Sequence, residues 1–503
     1  MGKLIVVFVH GWSVTNLDTY GELPIRLHND AKAEGFDIQV EEIFLGQYIS
    51  FHDEVRLKDI SRAFQTAVSE KLNAEITAGE RFVCITHSTG GPVIRDWWER
   101  FFRKKEKSCP MSHLIMLAPA NFGSALAQLG KGRVGRLKAW FSAVEPGQGV
   151  LDWLELGSSE AWKLNKSWIE SDENEIKPEN VFPFVLIGQS IDRKLYDNLN
   201  AYTGELGSDG VVRVAAANLQ SSYVKLKQPY PTNERPINTG DFEIETYKQS
   251  PKIPLRIIKG KSHSGHEMGI MNSVKEKDND KVTSQETLKA ILDCIKVKTK
   301  ADYDKLYKQF EKETKEVLKE EQLETVSSFF TSKRYFIHDQ YCMVIFRVID
   351  TEGNPVKDFD LLISAGDENN PNHLPEGFFQ DRQKNKNNPE NITYYLNYDI
   401  LKGIAAIKDG KKDVRPKQKG IDKLGLKIVP RPSDGFVYYA PCEIKADQTM
   451  FDYVLKPNST TLVEIELQRI VSKEVFRMNP MNDLPNDGDF KHVKPGDEIL
   501  TEM

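Results

Sequence analysis

The chain has 503 residues, with 68 Lys and Arg against 74 Asp and Glu, for a net charge of −6. That length is ample for two or more domains, and without a dominant basic stripe the balance argues against nucleic acid as a partner. Five scattered cysteines with no C-x-x-C pair argue against a disulfide framework and for folding in a reducing compartment.

Leu4–Val9 is an unbroken apolar run, mostly β-branched, and reads as a buried parallel strand. It is too short for a leader peptide and runs directly into His10-Gly11-Trp12-Ser13. Gly11 lets the backbone turn so that the N–H of Trp12 can face a developing oxyanion; the plainer reading is a strand ending in a turn. The next apolar run, Phe82-Val83-Cys84-Ile85, leads into Thr86-His87-Ser88-Thr89-Gly90-Gly91. A strand, a tight turn with serine at its apex and small glycines before a helix over 93–102 make the layout of a nucleophile elbow. A side chain at position 90 is expected to crowd that turn. Thr86 stands where the G-x-S-x-G pattern has glycine. The N–H of Thr89 is the second candidate oxyanion donor, and donors of this kind are worth about 3–4 kcal/mol each. Trp97 and Trp98, on the helix, read as core.

A third strand, over 113–117, leads into Ala118-Pro119-Ala120-Asn121. The following segment, near 124–175, is where lipases insert a lid. It holds Trp140, Trp153, Trp162 and Trp168 together with Lys131, Arg133, Arg136 and Lys138. Aromatic and basic residues on amphipathic helices suit a lipid interface; packing against the core is the alternative. A fourth strand, over 184–188, precedes a long loop ending in Gly207-Ser208-Asp209-Gly210-Val211-Val212. Asp209 is the candidate acid that holds a histidine in the right tautomer, against the bland reading of an Asp-Gly turn. The last strand, over 253–258, is followed by a loop carrying His263 and His266. His263, in the middle of the loop, is favoured as the general base. The order Ser88, Asp209, His263 is that of α/β-hydrolases. His10 and His87 are expected to line the site. No zinc-binding helix and no glycine-rich phosphate loop is present, and the chemistry needs no cofactor or metal. No stretch approaches the roughly 20 apolar residues of a spanning helix, so any membrane contact is expected to be peripheral.

Residues 301–334 read as a helical connector with Tyr303, Leu306, Tyr307, Phe310, Val317 and Leu318 in one stripe. From residue 335 the period shifts to two. Short strands are expected over 341–349, 360–363, 392–396, 424–429, 435–439, 450–455 and 461–470, an antiparallel sandwich. The stretches 366–391 and 408–419 read as polar loops. The fold expected is thus α/β: an α/β-hydrolase domain over 1–300 with a lid insertion, then a β-rich, sandwich-like domain over 335–503.

The residues that carry the chemistry also resemble a known family. Phe8-Val9-His10-Gly11-Trp12-Ser13-Val14-Thr15-Asn16, the block Tyr48-Ile49-Ser50-Phe51-His52-Asp53-Glu54-Val55-Arg56 and the Thr-His-Ser-Thr-Gly-Gly elbow are similar to the PlaB-type bacterial phospholipase A/lysophospholipase A family. The Gly207-Ser208-Asp209-Gly210 turn and the Ser262-His263-Ser264-Gly265 loop match as well. The likeness is specific over roughly 1–280 and weaker after 335. It implies Ser88, Asp209 and His263 as a catalytic triad, and release of fatty acids from diacyl- and lysophospholipids at a bacterial membrane, the outer membrane in that family, without a signal peptide. It also implies homo-oligomers, namely tetramers that hide the active site, and NAD(H) bound between subunits. No dinucleotide fingerprint is visible, so the nucleotide rests on the resemblance alone. The alternative function is another serine carboxylester hydrolase or an acyltransferase acting on soluble esters or lipid anchors, and the alternative location is the cytoplasm.

Overall fold

The computed structural model describes residues 4–9, 20–36, 38–43, 53–103, 105, 107–130, 147–192, 204–230, 241–277, 282–328 and 331–472. His10, Gly11 and Trp12, the block 48–52, and the basic and aromatic residues of 131–141, Trp140 among them, lie outside these.

The strands of the first half are β1 (Leu4–Val9), β2 (Ile38–Ile43), β3 (Phe82–His87), β4 (Met111–Leu117), β5 (Phe182–Ile187), β6 (Ser222–Lys227), β7 (Glu243–Gln249) and β8 (Leu255–Ile257). Six of them form one sheet in the order β2-β1-β3-β4-β5-β8, every pair parallel. Helices lie on its faces, so β3 and β5 are buried at every position, the reason their sequences do not alternate. β3 sits near the middle of the sheet and carries the serine turn at its C-terminal end.

The helix Gly90–Phe101 packs beside Leu57–Lys71, with Trp97 edge-on to Phe64 at 5.0 Å. The segment read as a lid is, where described, part of the core. Helices Gln148–Leu154 and Ser159–Ile169 bury Trp153, Trp162 and Trp168, and Trp168 lies 5.8 Å from Trp98. The side chain of Ser158 caps the second helix by accepting from the Ala161 N–H.

The connector is helical only over Lys300–Glu320, where Tyr303, Leu306, Phe310 and Val317 are buried and the Tyr303 hydroxyl donates to the Pro183 carbonyl at 2.8 Å. The remainder of the expected connector is an antiparallel hairpin, β9 (Leu323–Ser328) and β10 (Thr331–Ile337), the first rich in β-branched and hydroxyl residues.

The later strands are β11 (Tyr341–Asp350), β12 (Phe359–Ala365), β13 (Phe379–Lys384), β14 (Asn391–Asn397), β15 (Ile407–Asp409), β16 (Lys412–Arg415), β17 (Leu424–Pro430), β18 (Val437–Tyr438), β19 (Cys442–Asp447), β20 (Ser459–Leu467) and β21 (Ile470–Val471). Their main sheet runs β13-β14-β11-β20-β6-β7. It is mixed rather than antiparallel, because β11 pairs with β20 and β20 with β6 in parallel. It also takes two strands from the first 300 residues, so the expected boundary at 300 does not separate the sheets. The strand expected over 450–455 is a helix, Gln448–Val454, started by Asp447, whose carboxylate accepts from the N–H groups of Thr449 and Met450. The polar stretch 366–391 contains β13, and 408–419 contains the β15–β16 hairpin.

β11 shows how the two halves meet. Tyr341, Met343 and Ile345 belong to the core of the parallel sheet, while Cys342, Val344, Phe346 and Val348 belong to a second core with β12 and β17. Both faces of the strand are buried, and its alternation divides it between two cores.

Candidate active site

Ser88 occupies the turn between β3 and the helix Gly90–Phe101 with φ +53°, a conformation that costs a non-glycine residue about 1–3 kcal/mol. The fold holds it there. Its N–H donates to the Leu117 carbonyl at 3.0 Å, and its carbonyl accepts from the Ala120 N–H at 3.2 Å. Beside it, at Gly91, a Cβ would lie 2.7 Å from Cβ of Pro119. Thr89 is already helical (φ −61°, ψ −20°). Its N–H stands at the N-terminus of the helix, where backbone donors carry partial positive charge. The other candidate donor, Trp12, is outside the described residues.

The long loops after β5 and β8 bring the remaining two residues to the serine. His263 Nε2 lies 3.0 Å from Ser88 Oγ, and His263 Nδ1 lies 2.9 Å from Asp209 Oδ2. Asp209 is fully buried and accepts further hydrogen bonds on Oδ1, from Val211 N–H at 3.0 Å and Val212 N–H at 2.8 Å. A buried carboxylate is costly unless its oxygens are satisfied; here the turn satisfies Oδ1 and His263 satisfies Oδ2. The two loops are also joined through their backbones, since His263 N–H donates to the Asp209 carbonyl at 2.9 Å. His87 Nε2 reaches the His263 carbonyl at 3.1 Å and its ring lies 4.6 Å from that of His263, so it braces the histidine from behind. His266, three residues on, is exposed.

The Asp209 turn is closed by an antiparallel bridge between Ser208 and Arg213. Ser124, in the loop after β4, donates its hydroxyl to the Val211 carbonyl at 2.7 Å. Arg213 is buried and pairs with Glu205. Burial pushes the Glu205 carboxyl up against the pull of Arg213. Burial would lower the Arg213 guanidinium, and Glu205, Tyr395 and Asp381 together more than reverse that. Neither Glu205, Arg213 nor Ser124 stands in a motif that sequence reading could single out. Their partners are remote in the chain, and only the folded loops bring them together.

Among the described residues no group of His, Cys, Asp and Glu is arranged to hold a metal ion, and no helix is long and apolar enough to cross a membrane. The five cysteines are buried, and none of them is in a disulfide.

No protein-family model matches the chain, and no curated protein matches it. Solved structures do. Phospholipase PlaB from Legionella pneumophila in complex with thio-NAD is 42% identical over 96% of this chain and 97% of its own, with a TM-score of 0.83. A second structure of the same phospholipase gives 42% identity, the same coverage and a TM-score of 0.84. The likeness spans both halves of the molecule, including the region beyond 335 where sequence resemblance was weakest. With 42% identity over almost the full length of both proteins, the chain belongs to the PlaB-type phospholipase family.

Proposed function

We propose that this protein is a serine phospholipase A/lysophospholipase A, with Ser88 as nucleophile, His263 as general base and Asp209 as the acid that orients it. The observation that carries this reading is the unbroken hydrogen-bonded line Ser88 Oγ, His263 Nε2, His263 Nδ1, Asp209 Oδ2. His263 takes the serine proton as Oγ attacks the ester carbonyl. The tetrahedral oxyanion is met by the Thr89 N–H and, on sequence grounds, that of Trp12. The ester C–O bond breaks, the lysolipid or glycerol oxygen leaves with the proton from His263, and water activated by the same histidine releases the fatty acid from Ser88.

The family relation supports peripheral action on phospholipid membranes and assembly into homotetramers. A relative whose structure was solved in complex with thio-NAD supports a nicotinamide nucleotide in that assembly. The family resemblance alone supports a place for it between copies, and no chemical step passes through the nucleotide.

The test is fatty acid release from phosphatidylglycerol, phosphatidylcholine and their lyso forms by wild type and Ser88→Ala over a wide protein dilution series. Release abolished in the variant is expected, with specific activity of wild type rising on dilution as the tetramer opens. Cleavage of short soluble esters with no release from any lipid would move the assignment to another serine esterase or an acyltransferase. Activity in Ser88→Ala would refute the site itself.

A further inference from the structure

The Asp209 turn is gripped from the second sheet. Arg213 donates from Nε and Nη2 to the two oxygens of Glu205, each at 2.8 Å, and from Nη2 to Asp381 Oδ2 at 2.5 Å. Glu205 precedes the turn and Arg213 follows it, whereas Asp381 lies on β13. The guanidinium is also 4.0 Å from the ring centre of Tyr395 on β14. Tyr395 is fully buried, and its hydroxyl lies 3.1 Å from the Leu206 carbonyl and 3.2 Å from that of Gly207. It can donate one proton, shared between the two. Gly207 has φ +72°, and a Cβ there would collide with the Tyr341 ring and the Tyr395 hydroxyl. The polypeptide two residues before Asp209 is thus pressed flat against the stacked pair Tyr341 and Tyr395, whose rings are 4.9 Å apart.

We propose that Asp381 and Tyr395, acting through Arg213 and the carbonyls of Leu206 and Gly207, are positioning residues that set the reach of Asp209 to His263. The proposal rests on the catalytic reading of Ser88, His263 and Asp209. A buried guanidinium clamped by two carboxylates is a rigid strut, because each bond fixes both distance and plane. Removing one carboxylate leaves Arg213 free to swing toward Glu205 alone and lets the turn relax. A shift of about 1 Å in a catalytic group costs up to roughly 10²-fold in rate. The second sheet therefore contributes to catalysis without touching substrate.

The experiment compares wild type, Asp381→Asn, Tyr395→Phe, Asp209→Asn and the double variant Asp381→Asn with Asp209→Asn, as full-length protein. Two rates are read: kcat and KM for fatty acid release, and the rate at which a fluorophosphonate labels Ser88. Asp381→Asn is expected to lower kcat and labelling on the order of 10-fold or more with KM nearly unchanged. Tyr395→Phe, which keeps the ring and deletes one oxygen, is expected to lose a few-fold by the same route. In the Asp209→Asn background Asp381→Asn is expected to cost nothing further, since residues acting as one unit are not additive. A merely structural role would give the same fold-loss in both backgrounds, and that result overturns the proposal. So does full activity of both Asp381→Asn and Tyr395→Phe. Ser88→Ala in the same assays separates the two readings. If it is inactive while the clamp variants are normal, only the clamp fails; if it is active, the catalytic assignment fails with it.

Discussion

Where one proton rests decides the roles at Ser88. Asp209 Oδ2 is an acceptor, so His263 Nδ1 carries the hydrogen and Nε2 presents its lone pair to the serine hydroxyl. His263→Ala is therefore expected to fall as far as Ser88→Ala, on the order of 10⁴- to 10⁶-fold in kcat. His266→Ala, at an exposed position, should keep most of the wild-type rate. Steady-state rates on one phospholipid compare the three variants, and the reverse order would transfer the base to His266. These residues were legible in sequence because each sits in a short pattern with its own mechanical reason: a serine between a strand and small glycines, an aspartate in a Gly-bounded turn, a histidine after the last strand. Arg213, Asp381 and Tyr395 were not legible. Each is ordinary in its local context, and Asp381 lies 168 residues from the arginine it meets. Even within the elbow, the close contact of Gly91 was not legible, because what limits it is Pro119 from another loop.

Among the elements, β4 carries a histidine whose state depends on burial. His113 is packed between strand and helix, its Nε2 2.7 Å from the Val297 carbonyl and its ring stacked on Phe184 at 6.1 Å. Burial lowers its pKa from 6.5 to about 4, partly opposed by the bond to Val297. Below pH 6.5 the unfolded chain takes up a proton that the folded one refuses until about pH 4, so stability falls as the pH drops through that window. The shift corresponds to about 3 kcal/mol. Melting wild type and His113→Gln at pH 7 and pH 4.5 should show a smaller loss in the variant; an equal loss in both would mean that His113 does not contribute. Elements were legible where an unbroken apolar run marked them, as in β1 and β3, or where one period was sustained, as in β11 and the helix Lys300–Glu320. They were misread where an element is short and its partner decides. Gln448–Val454 holds the same apolar residues that a strand would, but Asp447 caps it as a helix. β13 is polar along most of its length, and its pairing with β14 is what makes it a strand. The hairpin β9–β10 lay hidden behind the charged helix before it.

At the scale of the whole molecule, the second sheet is a wall shared by two cores. Tyr341, Met343, Ile345, Tyr395 and Leu462 face the hydrolase side, all of them buried. At about 1.5–3 kcal/mol each, these side chains together come to roughly 10 kcal/mol, comparable to the entire net stability of a domain. The join is also made in the backbone. β6 leaves the hydrolase region, pairs in parallel with β20, and returns through β7 to β8 of the first sheet. Nothing in the local pattern of β6 announces this, since a strand's own sequence does not name its neighbour, and a composition change near residue 300 therefore resembles a domain boundary that the pairing ignores. A protein ending at residue 300 would keep every residue of the triad, yet leave the open edge of β6 and the apolar Val224 and Leu226 without their cover. It would also lose Tyr395 and Asp381 from behind the Asp209 turn. Such a fragment is expected to show no cooperative melting transition and no fatty acid release. A fragment that melts cooperatively and hydrolyses lipid near the wild-type rate would mean that the hydrolase half builds its acid turn alone, and that the shared sheet serves some purpose other than holding it.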